Sequence, residues 1–132
     1  MRLVLDTNVL ISGLFWPGGP PRSILERWLS GRVTVVASQE IIDEYRAVVR
    51  RLQKKKNVDV IRLVERLLML VEYVMPPTLP RQICKDPDDD KFIATAIAGR
   101  VPYIVTGDRA LLNVVRIRRT KIVTPVAFLS NL

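Results

Sequence analysis

Apolar residues recur along this chain in two rhythms. Short runs that are apolar almost throughout read as buried strands: "RLVLD" (2–6), "VTVVAS" (33–38), "VEYVM" (71–75), "PYIVTGD" (102–108) and "KIVTP" (121–125). Between them, apolar positions three and four residues apart mark helices over 9–15, 21–30, 39–53, 58–70, 87–99 and 108–115, with a last short turn at 125–131. Strands with no polar face, alternating with helices, predict a parallel sheet covered on both sides, an α/β domain of three layers, α/β/α. The Pro- and Gly-rich stretches "WPGGPP" (16–21) and "MPPTLP" (75–80) are short enough to be loops within it. No internal repeat interrupts the order, and a single domain over 1–132 is expected.

Composition agrees with a chain that folds alone: 132 residues, 48% of them apolar and 26% charged. No apolar run approaches the ~20 residues of a membrane span, and the first strand starts at once, leaving no room for a signal peptide. A soluble, cytoplasmic protein without membrane contact is the expectation. The single cysteine, Cys84, can form neither an internal disulfide nor a cysteine zinc site, and is expected to be a free structural thiol.

Charge changes the picture more. There are 21 basic residues against 13 acidic ones, a net charge of +8, which favours a polyanionic partner such as nucleic acid. There is no histidine, so Ser-His-Asp and Cys-His nucleophiles and imidazole acid-base chemistry are excluded. Any chemistry must run on carboxylates, hydroxyls, lysine, arginine or a metal held by oxygen. Of the basic clusters, "RLQKKKN" (51–57) reads as the solvated hinge of a helical hairpin. "RIRRTK" (116–121) leads into the start of the last strand. Ligands of such sheets gather at the carboxyl ends of the strands, so this cluster should lie on the far side from a site.

Against that basic background, "KDPDDDKFIATA" (85–96) places four aspartates in five positions. Asp86 before Pro87 is an N-cap followed by proline at the first helical position, and Asp88 points with the solvent face. At ~100° per residue, Asp89 falls on the face of Phe92, Ile93 and Ala96, where capping does not explain it; Asp90 flanks it as the reserve candidate. Glu44 poses the same problem in "SQEIIDEYRAVVRRL", where Ser38 caps and Ile41, Tyr45, Val48, Val49 and Leu52 form the inward stripe. It lies three after Ile41 and four before Val48, and a carboxylate there requires a metal or a buried partner such as Arg22 or Lys91. Asp6 and Asp108 each end a strand, either as ligands at the sheet edge or as residues that turn the chain into the next helix.

Two carboxylates ~5 Å apart repel by roughly 3 kcal/mol even at an effective dielectric near 20. Four such groups at one edge require a counter-cation, and oxygen ligands select a hard one, Mg²⁺ or Mn²⁺. A divalent ion over a basic surface supplies what phosphodiester hydrolysis needs, with no histidine involved.

The sequence resembles the PIN-domain family of nucleases. "LDTNVLISGLF", "SQEIIDEYRAVV", "DPDDDKFIATA" and "YIVTGDRALL" are similar, in order and spacing, to the family's four acidic segments, and the resemblance spans nearly the whole chain. It is closest to the bacterial and archaeal toxin components, the VapC-like ribonucleases. It implies a Rossmann-like α/β/α sandwich with a five-stranded parallel sheet, Mg²⁺- or Mn²⁺-dependent ribonuclease activity with one or two ions, homodimers, and a small antitoxin that blocks the site. Residue by residue, Asp6, Glu44, Asp89 and Asp108 fall on the four acids, as catalytic residues and metal ligands. Asn8 and Thr106 match auxiliary polar positions, and Lys91 and Arg109 stand where phosphates would be positioned. Ala110 departs from close relatives, which often carry an acid there. The rival readings are a noncatalytic RNA-binding module of the same fold and a structure-specific DNA nuclease. Phe15 and Trp16 are either a dimer or antitoxin contact, or cover for the core.

Overall fold

The structure, a computed structural model, describes residues 1–131; residue 132 of the expected domain lies outside them. The first half alternates β1 (Arg2–Leu5), α1 (Thr7–Phe15), α2 (Pro20–Leu29), β2 (Thr34–Ala37), α3 (Gln39–Lys56), α4 (Ile61–Leu68) and β3 (Glu72–Tyr73). A 3-10 turn over Pro87–Asp89 leads into α5 (Asp90–Gly99). There follow β4 (Tyr103–Val105), α6 (Arg109–Leu112), β5 (Arg116–Ile117), β6 (Thr120–Val123) and α7 (Pro125–Ser130).

The sheet order is β3-β2-β1-β4-β6-β5, parallel throughout except for β5, which runs antiparallel to β6. Six strands therefore stand where five were expected. The extra one is built from "RI" in the basic cluster 116–121, folded back on β6 by a tight turn; its two residues carry too little pattern to read as a strand. The expected strand 71–75 shrinks to Glu72–Tyr73, an edge pairing whose outer end is held by an Arg2–Glu72 ion pair. The expected 121–125 becomes 120–123, because Thr124 caps α7 through the Ala127 N–H and Pro125 takes the first helical position.

Helix limits follow their caps. α1 begins at Thr7, not Val9, because Asp6 accepts from the Asn8 N–H and serves as N-cap. α3 starts after the expected Ser38 cap but runs on to Lys56, ending at Asn57 in the left-handed region (φ 53°). The lysines 54–56 thus lie on its last turn, where they complement the helix dipole. The hinge of the α3/α4 hairpin is 57–60, and α4 is shorter than the expected 58–70. α6 stops at Leu112, three residues short of expectation.

Leu3, Val4 and Leu5 of β1 are fully buried, as are Val35, Val36, Ile104 and Val105 beside them, so the central strands carry the core. Helices cover both faces: α1 packs on α2, and α5 lies against β1, β2 and β4. Arg22, weighed above as a partner for Glu44, does something else. Its guanidinium donates to the carbonyls of Gly13 (2.6 Å) and Leu14 (3.1 Å), satisfying the carboxyl end of α1. Phe15 packs on the core while Trp16 is 56% exposed, under the Lys56 ammonium at 4.6 Å from its ring. No described helix is long and apolar enough to cross a membrane.

Candidate active site

From β1 the chain moves outward through β2 to β3 and then crosses to β4 on the other side of β1, so the strand order reverses between β1 and β4. Loops diverge at the carboxyl end of such a switch point and leave a crevice there. Asp6 follows β1 and Thr106, Gly107 and Asp108 follow β4, bringing two aspartates to that crevice. The Asp6 N–H bonds the Val105 carbonyl at 2.9 Å, fixing one loop on the other.

Asp6 is buried, with one carboxylate oxygen accepting from the Asn8 N–H (3.4 Å) and the other from the Thr106 hydroxyl (2.6 Å). The same Thr106 oxygen accepts the Asp108 N–H at 2.9 Å, so one fully buried threonine sets the positions of both aspartates. Burial raises the Asp6 pKa, opposed by the bonds from Thr106 and Asn8 and reinforced by the charges of Asp108 and Glu44. Beneath, the Tyr45 hydroxyl donates to the Leu5 carbonyl, tying α3 to the strand that ends in Asp6.

Asp89 reaches the same place from the turn before α5. Only 9% exposed, it has its pKa pushed up to about 7, first by burial, then by a hydrogen-bonding approach to Asp108, and by the charges of Asp108, Asp6 and Asp86. Its Oδ2 is buried with no hydrogen-bond partner among the described residues. Asp90 is spent elsewhere. Its two oxygens accept from Ile83 N–H (2.9 Å) and Cys84 N–H (2.7 Å), holding the preceding loop. Asp86 accepts from Asp88 N–H, and Asp88 is exposed, as the capping argument requires. Cys84 is a buried free thiol whose pKa is pushed up to about 12 by burial and by Asp90.

Glu44 lines the same hollow as Asp6 and Asp89, but half-buried and already partnered: Lys91 Nζ sits 2.8 Å from one oxygen and the Thr7 hydroxyl donates to the other. Lys91 is thus buried in an ion pair rather than free at the surface, its side chain 10% exposed, with a second bond to the Asp88 carbonyl. Asn8 is exposed at the rim and Arg109 is exposed beyond Asp108, with no ion pair among the described residues. The site also contains residues the sequence reading did not single out. Thr7 and Tyr45 brace Glu44 and Asp6, and Arg51 lines the hollow seven positions after Glu44 on the same face of α3, a spacing that was legible.

Oxygen-only donors, crowded like charge and an orphaned Asp89 oxygen fit a hard divalent cation chemically. As the side chains stand, no three acidic or cysteine groups among the described residues are arranged to hold one. Glu44 is drawn towards Lys91, and Asp89 leans on Asp108.

A family model described as PIN domain matches residues 2–110, a span that contains all four carboxylates. An uncharacterized protein of Methanocaldococcus jannaschii is 30% identical over 116 residues, covering 86% of this chain and 74% of that protein. No solved structure matches the chain. The crevice at the strand reversal, with acids delivered by the end of β1, by α3, by the turn before α5 and by the end of β4, therefore sits in a chain that belongs to the PIN-domain family, generally metal-dependent nucleases.

Proposed function

We propose that the chain is an endoribonuclease that hydrolyses phosphodiester bonds in RNA with one or two Mg²⁺ or Mn²⁺ ions. The observation that carries this reading is Asp89: a carboxyl buried beside Asp6 and Asp108 with one oxygen unpartnered, an arrangement that costs stability and that the fold does not require. Asp6, Glu44, Asp89 and Asp108 would hold the ions, which when bound activate water and stabilise charge on the phosphate oxygens. Thr106 holds Asp6 and Asp108 in register. Lys91 and Arg51 put positive charge around the hollow where a phosphate would enter, with Arg109 exposed beyond Asp108, and Glu44 keeps Lys91 there until it does.

The toxin role, with a small antitoxin as partner and a homodimer as the working form, rests on the resemblance to the toxin components. Growth arrest on expression, absent for Asp6→Asn and relieved by a neighbouring small reading frame, tests it.

One observation favours a second reading, a noncatalytic RNA-binding module. The Lys91 ammonium already neutralises Glu44, as a counter-ion built into the chain. Titrating Mn²⁺ by calorimetry separates the two. Saturable binding lost in Asp89→Asn supports the nuclease, and absence of binding supports the module. Matched RNA and DNA strands then establish which polymer is cut.

A further inference from the structure

Four exposed arginines lie away from the carboxylates. Arg100, Arg118 and Arg119 border a hollow of about 480 Å³ where the end of α5 meets the β5–β6 turn, at the opposite edge of the sheet from Asp6. Its floor includes Ile97 and Ile117. It is continuous through these isoleucines and Arg118 with a second hollow bordered by Arg81 on the 77–83 loop. No acidic residue lines either one, and none of the four arginines forms an ion pair or side-chain hydrogen bond among the described residues. The loop residues from Pro77 to Gln82 carry the depression on to Asp88 and Lys91, at the rim of the carboxylate site. Along this middle stretch Glu40, Asp88 and Asp90 outnumber Arg81 and Lys91, so the attraction for a polyanion is concentrated at the far end.

Two of the arginines occupy backbone positions that disfavour any side chain. Arg100 ends α5 with φ 51°, and Arg118 turns the β5–β6 hairpin with φ 52°. Glycine or asparagine is the usual residue there, since a Cβ in the left-handed region crowds the following carbonyl. Both arginines stand beside an apolar floor, with no ion pair or side-chain hydrogen bond among the described residues.

Resting on the nuclease reading above, we propose that this groove is a second RNA-binding site. It would hold the single strand that runs on from the carboxylate crevice, phosphates on Arg100, Arg118 and Arg119 and bases against Ile97 and Ile117. α5 spans about 15 Å between the two sites, so the strand must extend beyond the scissile bond to reach it. Arginine forks suit phosphate, and an apolar floor suits bases without reading their sequence.

The test is binding of a fluorescent single-stranded RNA of about sixteen nucleotides, long enough for the range over which single-strand sites extend. It is done in EDTA, where cleavage does not enter, with wild type, the double variant R100G/R118G and an equal-charge control, R62Q/R66Q, at exposed arginines of α4. Glycine suits both backbones, so the first variant should melt at the wild-type temperature or higher. It should bind the long RNA at least about tenfold more weakly, with a salt slope lower by about 1.4, two phosphate contacts at about 0.7 each, while the control binds nearly as wild type. Unchanged affinity of R100G/R118G, or an equal loss in the control, would overturn the proposal. So would displacement of the long RNA by polyglutamate at equal charge concentration, which would make an acidic protein segment the occupant. A wild type that binds the long strand but cuts no RNA when Mn²⁺ is restored would sink the nuclease reading and leave the groove standing.

Discussion

Asp89 shows how a single carboxyl links stability to function. Its pKa near 7 in the folded chain, against ~3.9 for an ordinary aspartate, means that the native state keeps a proton that the unfolded state releases. Stability from this group therefore falls as pH rises from about 4 to about 7 and is level above that, by at most the ~1.4 kcal/mol per pH unit that one proton allows. Asp89→Asn should flatten this slope and melt higher than wild type at pH 8 in EDTA. Adding Mn²⁺ should raise the wild-type melting temperature but not the variant's, since only a protein that binds the ion gains from it. A variant no more stable than wild type at pH 8 would show that the buried charge costs nothing. This residue was legible because helix geometry turned it inward while capping accounted for Asp86 and Asp88. The use of Asp90 to hold Ile83 and Cys84 was not, since nothing in the sequence says that the preceding loop doubles back onto α5.

Among elements, the ones with strong periodicity or a side-chain cap stood out, and the ones made by tertiary contact did not. Ser38 and the stripe Ile41, Tyr45 and Val49 announce α3, whereas β5 exists only because β6 lies beside it. Glu44 was read as inward, and it is, but its partner depended on where α5 delivers Lys91. Arg22, an equal candidate in the sequence, is taken by the carbonyls of α1. The α1–α2 contact that places Arg22 is unusually close. A Cβ on Gly13 would stand 2.6 Å from Leu25 Cδ1 and 3.0 Å from the Pro21 carbonyl carbon. Gly13→Ala gains about 1 kcal/mol of helix preference but meets an overpacking cost of about 1–3 kcal/mol, a net loss of roughly 1 kcal/mol. Because Asp6 is anchored from β1 and β4, Mn²⁺ affinity should not change with it. Equal stability of the variant by thermal melting, or a loss of Mn²⁺ affinity by calorimetry, would contradict this packing account.

At the scale of the molecule, the layers and the strand alternation were readable because buried parallel strands lack a polar face. The reversal of strand order, which creates the crevice, was not readable, because nothing local in a strand says which neighbour it pairs with; only the carboxyl ends of the strands were expected to gather a ligand. The expected separation of the "RIRRTK" cluster from the carboxylates is what the fold produces, with Arg118 and Arg119 at the opposite edge. The central claim is that the acids at the strand reversal form a metal-dependent nuclease site. Cleavage of a single-stranded RNA in Mn²⁺ by wild type and by Asp6→Asn, with circular dichroism to establish that both are folded, tests it most directly. The site predicts metal-dependent cleavage by wild type, abolished by EDTA, and a loss of at least about a hundredfold in the variant, since Asp6 sits among all the other acids. Undiminished cleavage by folded Asp6→Asn, or cleavage by wild type that persists in EDTA, would contradict it.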